Sequence, residues 1–146
     1  VIALPGDTVQ MIDGVLHING AAVKKERVED FVSISNGGNE QRIARYRETL
    51  PNGKTYLVLD AVPNGAADNT ELYTVPAGHY FMMGDNRDNS QDSRYSNVGF
   101  VPLDNFIGRA EFLFFSLKEG ASAWQIWKWP TDIRFERLFN GLKANR

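Results

Sequence analysis

A chain of 146 residues, 42% hydrophobic, 12% aromatic and 23% charged, is long enough for one folded domain or a core with a smaller lobe. Its aromatic content argues against disorder, and a formal net charge of −2 offers no basic field, so no nucleic-acid partner is expected. The lack of cysteine excludes a cysteine nucleophile, a disulfide frame and a thiolate zinc site, and suits any redox compartment.

Val1-Ile2-Ala3-Leu4 reads as a strand already under way, which fits a processed terminus or a piece of a longer protein. Pro5-Gly6-Asp7 ends it. Short β-prone runs then alternate with Asp13-Gly14 and Asn19-Gly20, the strongest local hairpin signals, so residues 8 to 24 read as a three-stranded meander. Residues 24 to 30 are charged and are expected to be exposed. The run from Ile43 to Glu48 is expected to pair with Thr55 to Leu59 across Pro51-Asn52-Gly53. Residues 63 to 70 form a loop by composition. Leu72 to Val75 starts another strand, which Pro76-Ala77-Gly78 turns into Tyr80-Phe81-Met82-Met83. Further on come a short helical candidate at Leu103 to Phe106 and a long apolar strand from Ile107 to Leu117. Pro130 could open a last helix, Thr131 to Leu142. The fold class is therefore mainly β, with small helices late. No apolar run reaches membrane-spanning length, and nothing at the start resembles a cleavable signal.

One segment stands apart. Gly84-Asp85-Asn86-Arg87-Asp88-Asn89-Ser90-Gln91-Asp92-Ser93-Arg94 carries three carboxylates, two guanidiniums and no aliphatic side chain, directly after an apolar strand. Burying such a segment is costly unless its charges pair and its hydrogen bonds close. Asp88-x-Ser90-x-Asp92 has the spacing of a calcium loop, but the sixth position is Ser93 and the twelfth Gly99, so both the turn glycine and the bidentate glutamate are missing. No metal site is expected. Asp92 and Arg94, two apart, would share a face of an extended segment and can pair; Arg87 could pair with Asp85 or Asp88. A structural ion-pair network and a functional site both fit this pattern.

Other chemistry is thinner. His17 lies in a hairpin strand, and a triad using His79 lacks a Gly-x-Ser-x-Gly elbow. A lysine base needs a desolvated amine, yet Lys24, Lys25, Lys54, Lys118, Lys128 and Lys143 all sit in polar, turn-like or amphipathic settings. Trp124, Trp127 and Trp129 fit core packing or, beside the cationic residues of the chain end, a membrane interface.

The run from Tyr80 to Arg94, followed by Gly99-Phe100-Val101-Pro102, resembles the C-terminal signature of bacterial type I signal peptidases, the S26 serine endopeptidases. Ala3-Leu4-Pro5-Gly6-Asp7 is similar to the segment that follows the catalytic lysine in that family, and Trp129-Pro130 resembles its end. The longer span from Arg94 to Gly99 and the short lobe without a cysteine pair depart from the family pattern.

The resemblance implies a signal-peptidase-like β-core, residues 1–7 and 77–146, with a short C-terminal helix. It also implies an inserted smaller β-lobe over 8–76. It implies a membrane-anchored enzyme of the bacterial inner membrane, facing the periplasmic side, that removes signal peptides from preproteins. Its chemistry would be a Ser/Lys dyad without metal or cofactor. Both dyad residues are expected upstream of Val1, so no catalytic residue is assigned within the chain, and the chain alone should be inactive. Asp85, Ser90, Asp92 and Arg94 match the supporting residues: Ser90 orients the lysine amine, Asp92 and Arg94 prop the loop, and Asp85 also holds the arginine. Met82, Met83 and the stem of Gln91 match positions that pack on the lysine. Signal peptides are the implied partners, with the membrane surface meeting the three tryptophans. A repressor-type self-cleaving Ser-Lys protease and a non-enzymatic envelope β-module are the alternatives.

Overall fold

Two tight turns organise the start of the chain. A computed structural model, which describes residues 1–34 and 38–108, places Asp13 and Gly14 at φ 47° and 72°, and Asn19 and Gly20 at φ 53° and 78°. Positive φ at both central residues gives a turn whose twist matches that of the strands it joins. The expected meander follows: β1 (Thr8–Ile12), β2 (Val15–Ile18) and β3 (Ala21–Ala22) are antiparallel neighbours. Alternation sets the buried face. Val9 opposes Ile18 and Met11 opposes Leu16, and all four are buried.

The remaining strands are β4 (Lys24–Arg27), β5 (Phe31–Ile34), β6 (Glu40–Ile43), β7 (Arg45–Thr49), β8 (Thr55–Leu59), β9 (Tyr73–Thr74), β10 (His79–Tyr80) and β11 (Val101–Pro102). β9 closes the first sheet, in the order β3-β2-β1-β9. A second sheet has the order β4-β7-β8, and β5 with β6 and β10 with β11 form two-stranded pairs. The expected pairing with 55–59 is present over residues 45–49, as β7 and β8 with Glu48 opposite Tyr56, whereas Ile43 ends β6 opposite Phe31.

Four sequence readings change. Residues 24 to 27, read as charged and exposed, are mostly exposed but form a strand at a sheet edge, where charged side chains discourage further pairing. Its Lys25 is half-buried: Nζ donates to Asp60 (2.6 Å) and to the Gly14 carbonyl (2.7 Å), and lies 4.5 Å from the Tyr46 ring centroid. Residues 31–34 and 40–43, to which the sequence reading assigns no element, pair as β5 and β6. Residues 1 to 4 make one antiparallel bridge, Ala3 with Phe81, rather than a full strand. The helical candidate at 103–106 is a 3₁₀ turn, Leu103–Asn105.

Among the described residues, Ala3, Val9, Met11, Leu16, Ile18, Val23, Val75 and Phe81 form an apolar core cluster. Residues 8 to 23, read from the sequence as the start of the inserted lobe, thus share a core with Ala3 and Phe81. Tyr73, Phe81 and Phe100 add tilted and edge-on ring contacts, with centroids 5.3 to 6.4 Å apart. Among the described residues, no helix is long and apolar enough to cross a membrane. The apolar strand expected beyond residue 108, the three tryptophans and the C-terminal helix lie outside the described residues.

Candidate functional site: an interlocked box of charges

The polar segment starts where the core stops. Phe81 is fully buried, and its N–H donates to the Ala3 carbonyl. Met82 next accepts the Ser93 N–H at its carbonyl (3.0 Å) and donates its own N–H to Ser93 Oγ (2.9 Å). The segment therefore folds back on the strand that feeds it. At the turn, Ser90 lies directly over Gly84. A Cβ at position 84 would fall 1.9 Å from Ser90 Oγ and 2.5 Å from its Cβ, so only glycine permits this approach.

Asp92 and Arg94 make the pair their spacing predicts. Arg94 Nε and Nη2 donate to the two oxygens of Asp92, each at 2.8 Å, and the pair is almost completely buried. Asp92 also accepts the Gly84 N–H (2.9 Å) and the Arg94 N–H (3.2 Å). Burial by itself would raise the Asp92 carboxyl; the Arg94 guanidinium and the Gly84 N–H outweigh it and hold the group below its ordinary value. Arg94 reaches further, donating from Nη2 to the Arg87 carbonyl at 2.6 Å.

Arg87 has a partner the sequence reading did not foresee. It pairs with neither Asp85 nor Asp88 but with Glu48 on β7, 39 residues earlier, through two parallel bonds of 2.8 and 2.5 Å. Glu48 has no exposed surface, and Tyr56 on β8 donates its hydroxyl to the same carboxylate (2.7 Å). Burial and the Glu48 charge push the Tyr56 hydroxyl well above its ordinary value, so it stays a donor. A signal existed in the sequence: alternation puts Glu48 on the face of Tyr46, opposite Tyr56 and Val58. The box also docks on β8 by main chain. Leu59 donates to the Asp85 carbonyl and accepts from the Arg87 N–H, at 2.8 and 2.9 Å. Asp88 accepts the N–H groups of Ala61 (2.6 Å) and Val62 (3.0 Å).

The sequence model of the family described as "Signal peptidase, peptidase S26" matches residues 1–115. The chain belongs to this family. Signal peptidase I of Rickettsia bellii (strain OSU 85-389) is 42% identical over 158 aligned residues, covering 97% of this chain and 52% of that protein. Signal peptidase I of Rickettsia prowazekii (strain Madrid E) is 39% identical over 148 residues, with the same coverage of each chain. Signal peptidase I of Rickettsia conorii (strain ATCC VR-613 / Malish 7) is 37% identical over 158 residues, covering 97% of this chain and 57% of the relative. The chain thus spans about half the length of the curated relatives it matches. No solved structure matches it.

Within the chain, Ser90, Asp92 and Arg94 come together at the turn around Gly84. Asp85 does not join them. It is exposed, its carboxylate accepts the Asn86 N–H (3.0 Å), and the Arg94 side chain is held by Asp92 and the Arg87 carbonyl instead. Met82 and Met83 are half-buried, Met83 packing on the core, while Gln91 is exposed. Tyr73 ties the core to the box by donating to the Arg94 carbonyl (3.0 Å). His79 Nδ1 lies 2.9 Å from the Ala77 carbonyl, and His17 Nδ1 lies 3.0 Å from that of Val15. The lysines among the described residues are solvated or paired. Lys24 meets Glu26 at 2.9 Å, Lys25 is bound to Asp60, and Lys54 is exposed. Lys118, Lys128 and Lys143 lie outside the described residues. Asp88 and Asp92 spend their oxygens on different partners, and among the described residues no three His, Cys, Asp or Glu side chains group to hold a metal.

Proposed function

We propose that this chain is the supporting part of a membrane-bound serine endopeptidase that cleaves signal peptides from exported preproteins. The nucleophilic serine and the lysine base come from residues outside this sequence. The observation that carries the reading is the placement of the Ser90 hydroxyl, which packs directly over Gly84, whose N–H is held by Asp92 of the buried Asp92–Arg94 pair. Such a hydroxyl can accept an N–H from a lysine amine and aim its lone pair at the serine. Asp92 and Arg94 keep Ser90 in place, and Met82, Met83 and the Gln91 stem exclude water from the amine. A lysine shielded from water loses its proton more readily, so it can take the serine proton near neutral pH as the serine attacks the peptide carbonyl. Asp85, at the rim of the box, would act through its main chain, which anchors the turn on β8.

The work belongs on the periplasmic side of the bacterial inner membrane, with Trp124, Trp127 and Trp129 meeting the lipid surface. Similarity to the signal peptidase I proteins supports the substrate class. Turnover of a fluorogenic signal-peptide substrate tests it. The full-length protein should cleave at the signal-peptide junction, and the isolated 146-residue chain should not exceed buffer. Turnover by the isolated chain would place the dyad inside it. A silent full-length protein would return the chain to a non-enzymatic envelope module.

A further inference from the structure

We infer that Glu48, on β7, is a positioning residue for signal-peptide cleavage, acting on Ser90 through Arg87 and Gly84. The inference rests on the function proposed above.

Gly84 is the floor on which Ser90 rests, and it is held from two sides. Its N–H is bound by Asp92 (2.9 Å) and its carbonyl by Arg87 Nε (3.2 Å). Arg87 also presents its own carbonyl to Arg94, the residue that chelates Asp92. One guanidinium and its main chain therefore govern both clamps on Gly84. What holds Arg87 is Glu48. Both oxygens of a wholly buried carboxylate are committed to it, and Tyr56 fixes the carboxylate in turn. Lys25, the cross-strand neighbour of Glu48 on β4, is committed to Asp60 and the Gly14 carbonyl. The Glu48 charge is thus directed into the box.

Energetics favour a geometric role. Desolvating two charges consumes most of what their attraction returns, and an apolar pair of similar volume often stabilises a fold as well. An apolar pair, however, could not fix a guanidinium plane. The planar two-bond pairing sets the orientation of Arg87, and with it the height of Gly84 under Ser90. In this view the β7–β8 hairpin serves catalysis directly by holding the box from behind.

The test is steady-state cleavage of a signal-peptide substrate by the full-length protein, as wild type, Glu48→Gln and Tyr56→Phe. Rates are taken per folded molecule, well below each variant's thermal midpoint. Glu48→Gln keeps the length and loses the charge. It should lower kcat about ten- to hundredfold with KM changed less than about twofold, the mark of lost positioning rather than lost binding. Tyr56→Phe should lower kcat by less, with the same split. A purely structural role would reduce the folded fraction and leave kcat per folded molecule unmoved, and that result overturns the inference while wild-type cleavage keeps the proposed function. If Glu48→Gln does not fold, Tyr56→Phe decides: a lower kcat at constant KM supports positioning, and a wild-type kcat overturns it. A wild type that cleaves nothing overturns the proposed function and this inference together.

Discussion

Asp92 is a nearly buried carboxylate that stays charged because four N–H donors surround it. Its carboxyl is held below the ordinary value of 3.8, so the unfolded chain takes up this proton first as the pH falls. The sign follows from that order. The pair contributes its full stability above the ordinary carboxylate range, and the contribution is lost as pH falls through the lower folded value. Urea unfolding at a series of pH values checks this against Asp92→Asn. The stability gap between wild type and variant should be widest near neutral pH and narrow as the pH falls through and below the ordinary carboxylate range. A gap that stays constant as the pH falls would contradict it. At this scale the sequence was partly legible. Asp92 and Arg94 are two apart in an extended segment, so their pairing needed no tertiary information. The Arg87 partner did, because Asp85 and Asp88 are nearer in sequence but are engaged with main-chain N–H groups, whereas Glu48 arrives from β7, 39 residues earlier.

At the scale of elements, β7 shows why composition misleads. Arg45-Tyr46-Arg47-Glu48-Thr49 is largely polar in composition, and residues 24 to 27 beside it read as a charged, exposed stretch. Alternation turns Glu48 inward with Tyr46 and Val58, and a guanidinium from the box completes the face. The hairpins at Asp13-Gly14 and Asn19-Gly20 were legible because their signal is local: a left-handed turn and an alternating run on either side. The β5–β6 pair carried no comparable signal. The buried ion pair makes a stability claim as well. Glu48→Leu strands a buried guanidinium and should cost about 3–5 kcal/mol. Adding Arg87→Leu should recover most of that loss in urea unfolding, because the unpaired charge goes with it. A double variant as unstable as the single one would show that the Arg87 bond to Gly84, not the charge balance, dominates.

At the scale of the whole molecule, two features meet at one turn. The apolar cluster around Phe81 gives a rigid strand end, and the β7–β8 hairpin grips the polar box from the other side. Between them Ser90 is fixed over Gly84. The family was legible from the box and from Ala3 to Asp7, since both motifs are local in sequence, and the family match over residues 1–115 also takes in the middle, where the sequence was hard to recognise. The packing of residues 8 to 23 against Ala3 and Phe81 was not legible, because nothing in a meander's turns says which sheet its apolar face will meet. The most direct measurement is kcat/KM for signal-peptide cleavage by the full-length protein carrying Arg94→Ala, compared with wild type. Loss of the Arg94 bonds to Asp92 and to the Arg87 carbonyl should release Ser90 and lower kcat/KM by about a hundredfold; wild-type turnover in that variant would contradict a supporting role for the box.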